Sequence, residues 1–257
     1  MLIDTHAHLN DPRLFAQAHD IIGSMKEDNL EALINVGYDY ASSKDSYDLA
    51  QKYDNVYAAV GIHPHDAKTA DKGAYDYFSS ASANNKIVAI GEIGLDFYYD
   101  HSPRDIQQKV FLEQLELAHS LKLPVIIHLR DAYQLMLNLL IENKQKLAFG
   151  GALHCYGGSV EMLREFDKLD LYFSFGGAIT FKNAVNKPNV VKATPLDRLL
   201  LETDCPYMTP VPHRGKLNYP KYINLVAEKA ASFTGLPLQK IEEITTKNAK
   251  TLFKKIK

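Results

Sequence analysis

An eightfold β/α barrel is the fold this sequence predicts, and three observations carry that expectation. Short apolar, β-branched runs recur eight times at intervals of roughly 25–35 residues. Helical spacing fills the stretches between them. The polar residues that interrupt the runs fall mostly at their C-terminal ends, where a (β/α)₈ TIM barrel builds its site.

The runs are "LID" (2–4), "ALINVG" (32–37), "VYAAVG" (56–61), "IVAIGE" (87–92), "VIIHL" (125–129), "FGGALH" (149–154), "LYFSFG" (171–176) and "LLLETD" (199–204). Each is nearly continuous in apolar residues, the pattern of a parallel strand covered on both faces. Between the fourth and fifth, residues 105–121 place Ile106, Val110, Leu115 and Ala118 along one side of a helix. Between the fifth and sixth, 131–141 does the same with Ala132, Leu135, Leu139 and Leu140. Two further helical patterns, 219–234 and 237–256, follow the eighth run and would close the outer ring. A doubly wound open sheet is the competing architecture, but no glycine-rich phosphate loop follows the first strand. No linker or low-complexity segment divides residues 1–257, so one barrel domain is expected.

Composition narrows the function classes. With 46% hydrophobic and 23% charged residues the chain is globular rather than disordered. No apolar stretch reaches membrane-spanning length, and "MLIDTHAHLND" lacks a secretory layout, so a cytoplasmic protein with no membrane association is expected. Two cysteines, Cys155 and Cys205, are too few for a disulfide framework; they read as small buried hydrophobes at strand ends. A net charge of −2 argues against coating duplex DNA through a basic surface, but not against gripping a few phosphates locally. The tail "KNAKTLFKKIK" reads as a solvated helix end whose cations suit the macrodipole. No obligate protein partner is evident.

The chemistry gathers at the strand ends. His6 and His8 follow the first strand and His63 the third; Glu92 ends the fourth, His128 the fifth, His154 the sixth and Asp204 the eighth. Alone, any of these histidines could be an ordinary hydrogen-bonded residue, and either acid could cap the next helix. Together they are seven residues from six strands on one face of a barrel, while His19, His101 and His119 lie in loop or helix patterns. Strand alternation puts His6 and His8 on one side, able to grip the same ion. Four imidazoles and two carboxylates exceed the needs of one four-coordinate ion and fit a two-metal cluster with a bridging carboxylate.

The quoted motifs carry a resemblance. "IDTHAHL" (3–9), "GIHPH" (61–65), "IGEIGLDFY" (90–98), "VIIHLRDA" (125–132), "GALHCYGG" (151–158), "FSFGGAITFK" (173–182) and "LLLETDCPYMTPVPHRGKLNYP" (199–220) together resemble the TatD-family metal-dependent deoxyribonucleases. That family lies within the amidohydrolase-like barrel superfamily. The match runs essentially end to end; H-x-H is shared with many metallohydrolases, whereas "GEIGLD" and the "ETD-x-P…RG-x-x-N-x-P" tail are more specific. The resemblance implies one ion held by His6, His8 and Asp204, a second by His128 and His154, and Glu92 bridging them. It further implies an exonuclease-like deoxyribonuclease that uses two divalent ions (Mg²⁺, Mn²⁺ or Zn²⁺) on DNA, single-stranded or at frayed ends. One departure is Gly157, which stands where the family usually has serine and removes one potential phosphate contact.

In that reading Glu92 and Asp204 are catalytic, Asp204 both ligating and accepting the nucleophile's proton. His63, Arg130 and Arg214 are expected to meet the substrate phosphate, since each follows a strand end at the same face. An ion pair between Arg130 and Asp131 is the structural alternative, whereas Arg214 lies in a loop too polar to be core. Asp4 could orient a histidine or make a plain buried hydrogen bond, and Glu202 shares side-chain parity with nearby ligands. The competing function is an amide, lactone or ester hydrolase on the same barrel, including one acting on the ester of misacylated aminoacyl-tRNA. Such barrels often bridge their metals through a carbamylated lysine on strand four, where this chain has Glu92 and its nearest lysine, Lys86, precedes the strand. A non-catalytic scaffold with a structural metal is the third class; structural sites tend to be closed and single, unlike this inventory.

Overall fold

The computed structural model describes residues 1–257. Eight parallel strands, β1 (Leu2–Ala7), β2 (Leu30–Val36), β3 (Val56–Val60), β4 (Ile87–Asp96), β5 (Val125–Arg130), β6 (Gly151–Leu153), β7 (Tyr172–Phe175) and β8 (Leu199–Leu201), pair in sequence order. The helices between them are α1 (Pro12–Phe15) and α2 (Ala18–Ser24) after β1, α3 (Tyr40–Lys52), α4 (Lys72–Ala81), α5 (Arg104–Leu121), α6 (Tyr133–Glu142), α7 (Val160–Asp167) and α8 (Lys187–Ala193). After β8 come α9 (Ile223–Thr234) and α10 (Leu238–Leu252). This is the expected (β/α)₈ barrel.

The eighth strand meets the first through a seam rather than a continuous ladder. Asp204 N–H donates to His6 O and His8 N–H to Cys205 O, both at 2.8 Å. Thr203 Oγ1 donates to Asp4 Oδ2 at 2.6 Å, and Thr5 Oγ1 donates to Leu201 O at 2.9 Å. Asp4 therefore holds backbone and Thr203, not an imidazole ring. Its burial pushes its pKa up to about 7, against the opposing pull of the Thr203 and His6 hydrogen bonds.

Two apolar layers hold the barrel. Leu33, Val60, Ile90, Ile127, Leu153, Phe173 and Leu201 pack outward against helical residues such as Phe111, Leu115, Leu140 and Phe166. Ile34, Ala59, Ile126, Ala152 and Leu200 form a second cluster with Leu252, Phe253 and Ile256, so the end of α10 plugs the face away from the site. Of the four apolar residues expected along α5, Val110, Leu115 and Ala118 are buried, while Ile106 is half-buried.

Several expected boundaries change at the site. His6 lies inside β1 rather than after it, β4 continues past Glu92 to Asp96, and β6 and β8 end before His154 and Asp204. Gly94 permits that continuation beside β5: at φ +148° it pairs with His128, and a Cβ there would collide with the His128 carbonyl oxygen.

Candidate metal centre

Glu92 sits at the middle of the cluster, buried, with its two oxygens facing different partners. Oε1 lies 2.7 Å from His154 Nε2 and 2.9 Å from His128 Nδ1. Oε2 lies 3.4 Å from His6 Nε2 and 3.8 Å from His8 Nε2. Asp204 Oδ1 closes the second group, 3.5 Å from His8 Nε2 and 3.8 Å from His6 Nε2. Six residues that the sequence singles out as ligands therefore converge from β1, β4 and β5 and from the segments just beyond β1, β6 and β8.

The far side of each ring decides which nitrogen carries the proton. His8 Nδ1 is 2.8 Å from the Val36 carbonyl oxygen, an acceptor only, so Nδ1–H donates and, in the neutral ring, Nε2 keeps its lone pair. His128 is turned the other way: Nε2 lies 3.0 Å from Asp96 Oδ2 and Nδ1 faces Glu92. The inward nitrogens crowd one another, with His6 Nε2 and His8 Nε2 3.1 Å apart and His128 Nδ1 and His154 Nε2 3.2 Å apart. Two nitrogens at that spacing need a positive centre between them, either a shared proton or a metal cation. The donor set fits divalent metal, with nitrogen and carboxylate ligands in two groups sharing Glu92.

Titration follows the same geometry. Burial would raise the Glu92 carboxyl, but the imidazoles around it, His154 foremost, outweigh it and hold it well below the usual range. Burial would lower His154 and His128, yet the carboxylates facing them raise both; the rise at His154 is the larger.

His63 behaves differently. Its Nδ1 accepts the His65 backbone N–H at 3.1 Å, so the neutral ring carries its proton on Nε2, 3.5 Å from Glu92 Oε1. Burial pushes its pKa well down, so the ring is neutral and presents a proton, not a lone pair, to the site. Arg130 makes no ion pair with Asp131; its guanidinium lies 3.8 Å from the Tyr98 ring centroid and 4.9 Å from that of Tyr99. Arg214, exposed, stacks 4.2 Å over Phe181.

Sequence reasoning missed several contributors. Asp96 lies on β4 two steps of alternation beyond Glu92 and faces both His128 and His65, whose Nε2 is 3.1 Å away. Extending the strand through "GLD" would have found it. Gln107 and Gln114 of α5 are buried: Gln107 Oε1 accepts the Asp96 N–H at 2.9 Å, and Gln114 Oε1 accepts the Ile62 N–H at 2.7 Å. They fix the chain beside Asp96 and His63, and no sequence pattern separates them from surface glutamines.

Cys205 is fully buried and Cys155 half-buried. Burial, reinforced by Glu202 and Asp204, pushes the Cys155 thiol up to about 12. At pH 8 only about one such thiol in ten thousand is thiolate. Iodoacetamide should therefore leave native Cys155 unmodified while labelling the denatured chain; alkylation of the native protein at a free-thiol rate would contradict this.

A parallel barrel with nitrogens of four imidazoles gathered around one shared carboxylate is the framework of a metal-dependent hydrolase. A family model described as TatD related DNase matches residues 3–254. The chain belongs to that family, as its motifs led us to expect. It is 44% identical over 254 residues to the metal-dependent hydrolase YabD of Bacillus subtilis (strain 168), covering 99% of both chains. It is 34% identical to the metal-dependent hydrolase YcfH of Escherichia coli (strain K12), covering 98% of this chain and 95% of that one. Among solved structures, the TatD homologue YJJV from Escherichia coli K12 superposes with a TM-score of 0.92 at 29% identity, covering 98% of each chain. The protein is thus a hydrolase that uses divalent metal, and no helix is long and apolar enough to cross a membrane.

Proposed function

We propose that residues 1–257 act as one unit, a two-metal phosphodiesterase that cleaves DNA in exonuclease-like fashion. The observation that carries the two-metal reading is the division of Glu92, one oxygen toward His128 and His154 and the other toward His6 and His8. His6, His8 and Asp204 would hold one ion, His128 and His154 the other, and Glu92 would be shared between them. When bound, such ions lower the pKa of coordinated water and neutralise charge on phosphoryl oxygens. Imidazole-rich ligation favours Zn²⁺ or Mn²⁺ by softness, whereas the family resemblance favours Mg²⁺.

The chain's own groups divide the remaining work. Asp204 accepts the proton of the attacking water. Its carboxyl is held below the usual range because the His8 hydrogen bond and the His154, His6 and His8 charges outweigh burial, so it is ionised near neutral pH. His63 Nε2–H, Arg130 and Arg214 donate to the phosphate as charge develops on it. Arg130 and Arg214 have no carboxylate partner and sit over aromatic rings, so each offers a charge for phosphate beside a surface for an unpaired base. That pairing favours a single strand or frayed end over a small amide, lactone or aminoacyl ester.

The test is an end-labelled panel of single-stranded and duplex DNA and RNA, run with Mg²⁺, Mn²⁺ and Zn²⁺ beside amide, lactone and aminoacyl-tRNA ester substrates. Cleavage confined to the second set would overturn the nuclease reading. Arg214→Ala is expected to weaken DNA binding and to reduce the salt slope by about one unit, the share of one phosphate contact. An unchanged slope would remove Arg214 from the phosphate site.

A further inference from the structure

Each inward-facing imidazole nitrogen needs a partner for the proton on the opposite side of its ring. His8 has the Val36 carbonyl and His128 has Asp96. His154 Nδ1 lies 3.5 Å from Glu202 Oε1 without making a hydrogen bond, and His6 Nδ1 is likewise buried with no hydrogen-bond partner. The Glu202 carboxylate is also incompletely partnered. It is fully buried; Oε1 accepts the Cys155 N–H at 2.6 Å, and Oε2 accepts nothing. Two unpartnered imidazole nitrogens and an unpartnered carboxylate oxygen are therefore buried in one cluster. The His6 and His154 rings stack at 4.1 Å with 15° between their planes, and His6, His154 and Glu202 bring polar atoms within 4.8 Å of one another.

A cation among these three is the first alternative. A neutral imidazole has one lone pair, and His6 and His154 already direct theirs toward Glu92, so a third ion would require two imidazolates. A merely structural carboxylate is the second alternative. It leaves the unpartnered atoms of Glu202, His6 and His154 unmatched within one buried cluster, at a desolvation cost that pairing them removes.

We propose that Glu202 is a positioning residue shared by both ion sites. One carboxylate accepts the Nδ1–H of His154 and of His6 and fixes both rings in the tautomer that points the Nε2 lone pair inward. The inference rests on the ligand assignment proposed above, in which His6 belongs to one ion and His154 to the other. Glu202 then couples the two sites from behind, as Glu92 does from between. A carboxylate behind a metal-bound imidazole raises its basicity and holds its orientation, and losing one typically costs 10–100-fold in affinity.

The experiment is a Zn²⁺ titration of the metal-stripped full chain against a chelating indicator, with metal content measured after desalting, for wild type and Glu202→Gln. Glutamine keeps the volume and can still accept from Cys155 N–H, but its amide cannot accept from both imidazoles. Both dissociation constants are expected to rise about 10–100-fold, with the circular dichroism spectrum unchanged. Nitrogen-15 imidazole spectra of the Zn²⁺-loaded wild type should show His6 and His154 protonated at Nδ1. Loss of the His6 Nδ1–H signature is expected in the variant. A purely structural Glu202 would lower the melting temperature of the metal-free variant while leaving both affinities within about twofold; that result overturns the inference and leaves the ligand assignment standing. A wild type that binds fewer than two Zn²⁺ overturns both. If Glu202→Gln fails to fold, the wild-type spectrum decides, and a proton on His6 Nε2 overturns the inference.

Discussion

Glu92→Gln should lose turnover by about a thousandfold or more, a barrier increase of ~4 kcal/mol. The glutamine is nearly isosteric, so packing around this buried position is little disturbed. What changes is charge and proton content. The carboxylate faces imidazole nitrogens on both sides; the amide carries no charge and presents N–H groups to one pair of lone pairs. On the proposed assignment both ions would lose their common ligand, so the loss should appear in metal content as well as in kcat. Asp204→Ala should also lose most turnover, but with one ion's ligand set left whole. Glu92→Gln activity within tenfold of wild type would contradict a bridging role.

Removing the metal should abolish hydrolysis and leave the barrel folded. The apolar layers between strands and helices, and the plug of Leu252, Phe253 and Ile256, lie apart from the cluster and do not need the ion. Chelation followed by activity assay, circular dichroism and re-addition of Mg²⁺, Mn²⁺ or Zn²⁺ checks both halves. Unfolding on chelation would favour a structural metal. Bound ions should raise thermal stability, by about 4 kcal/mol at a thousandfold excess over Kd. Affinity should fall with pH, because protons compete for the imidazole lone pairs. For His8, His128 and His154 the folded pKa lies above the ordinary value near 6.5, since facing carboxylates outweigh burial. Competition at these three therefore begins above pH 6.5 and strengthens as pH falls; an affinity that rises on acidification would contradict it.

The barrel was legible because its signal is repetitive. Eight apolar runs survive an error in any one of them, and ligands at strand ends are read from position alone. Boundaries were less legible where polar residues enter a strand. Glu92 and Gly94 look like the end of the fourth run, yet Gly94 is there because nothing larger fits beside the His128 carbonyl. The strand therefore continues to Asp96, and the residue behind His128 stayed hidden. Gln107 and Gln114 escaped notice for a different reason. Their burial depends on unpaired backbone N–H groups at the ends of distant strands, which local periodicity does not register. The roles of His63 and Glu202 depend on which ring nitrogen bears a proton, a property of three-dimensional neighbours.

The seam between first and eighth strands has a consequence for the order in which this molecule becomes competent. His6 and His8 are among the first residues made, and Asp204 comes nearly two hundred residues later, joined to them across the Asp4–Thr203 contact of sequence separation 199. On the ligand assignment proposed above, a chain still being synthesised, or cut short before its eighth strand, would lack Asp204, the carboxylate that completes the His6–His8 ion site and accepts the nucleophile's proton. Hydrolytic power would then be withheld until the last strand docks.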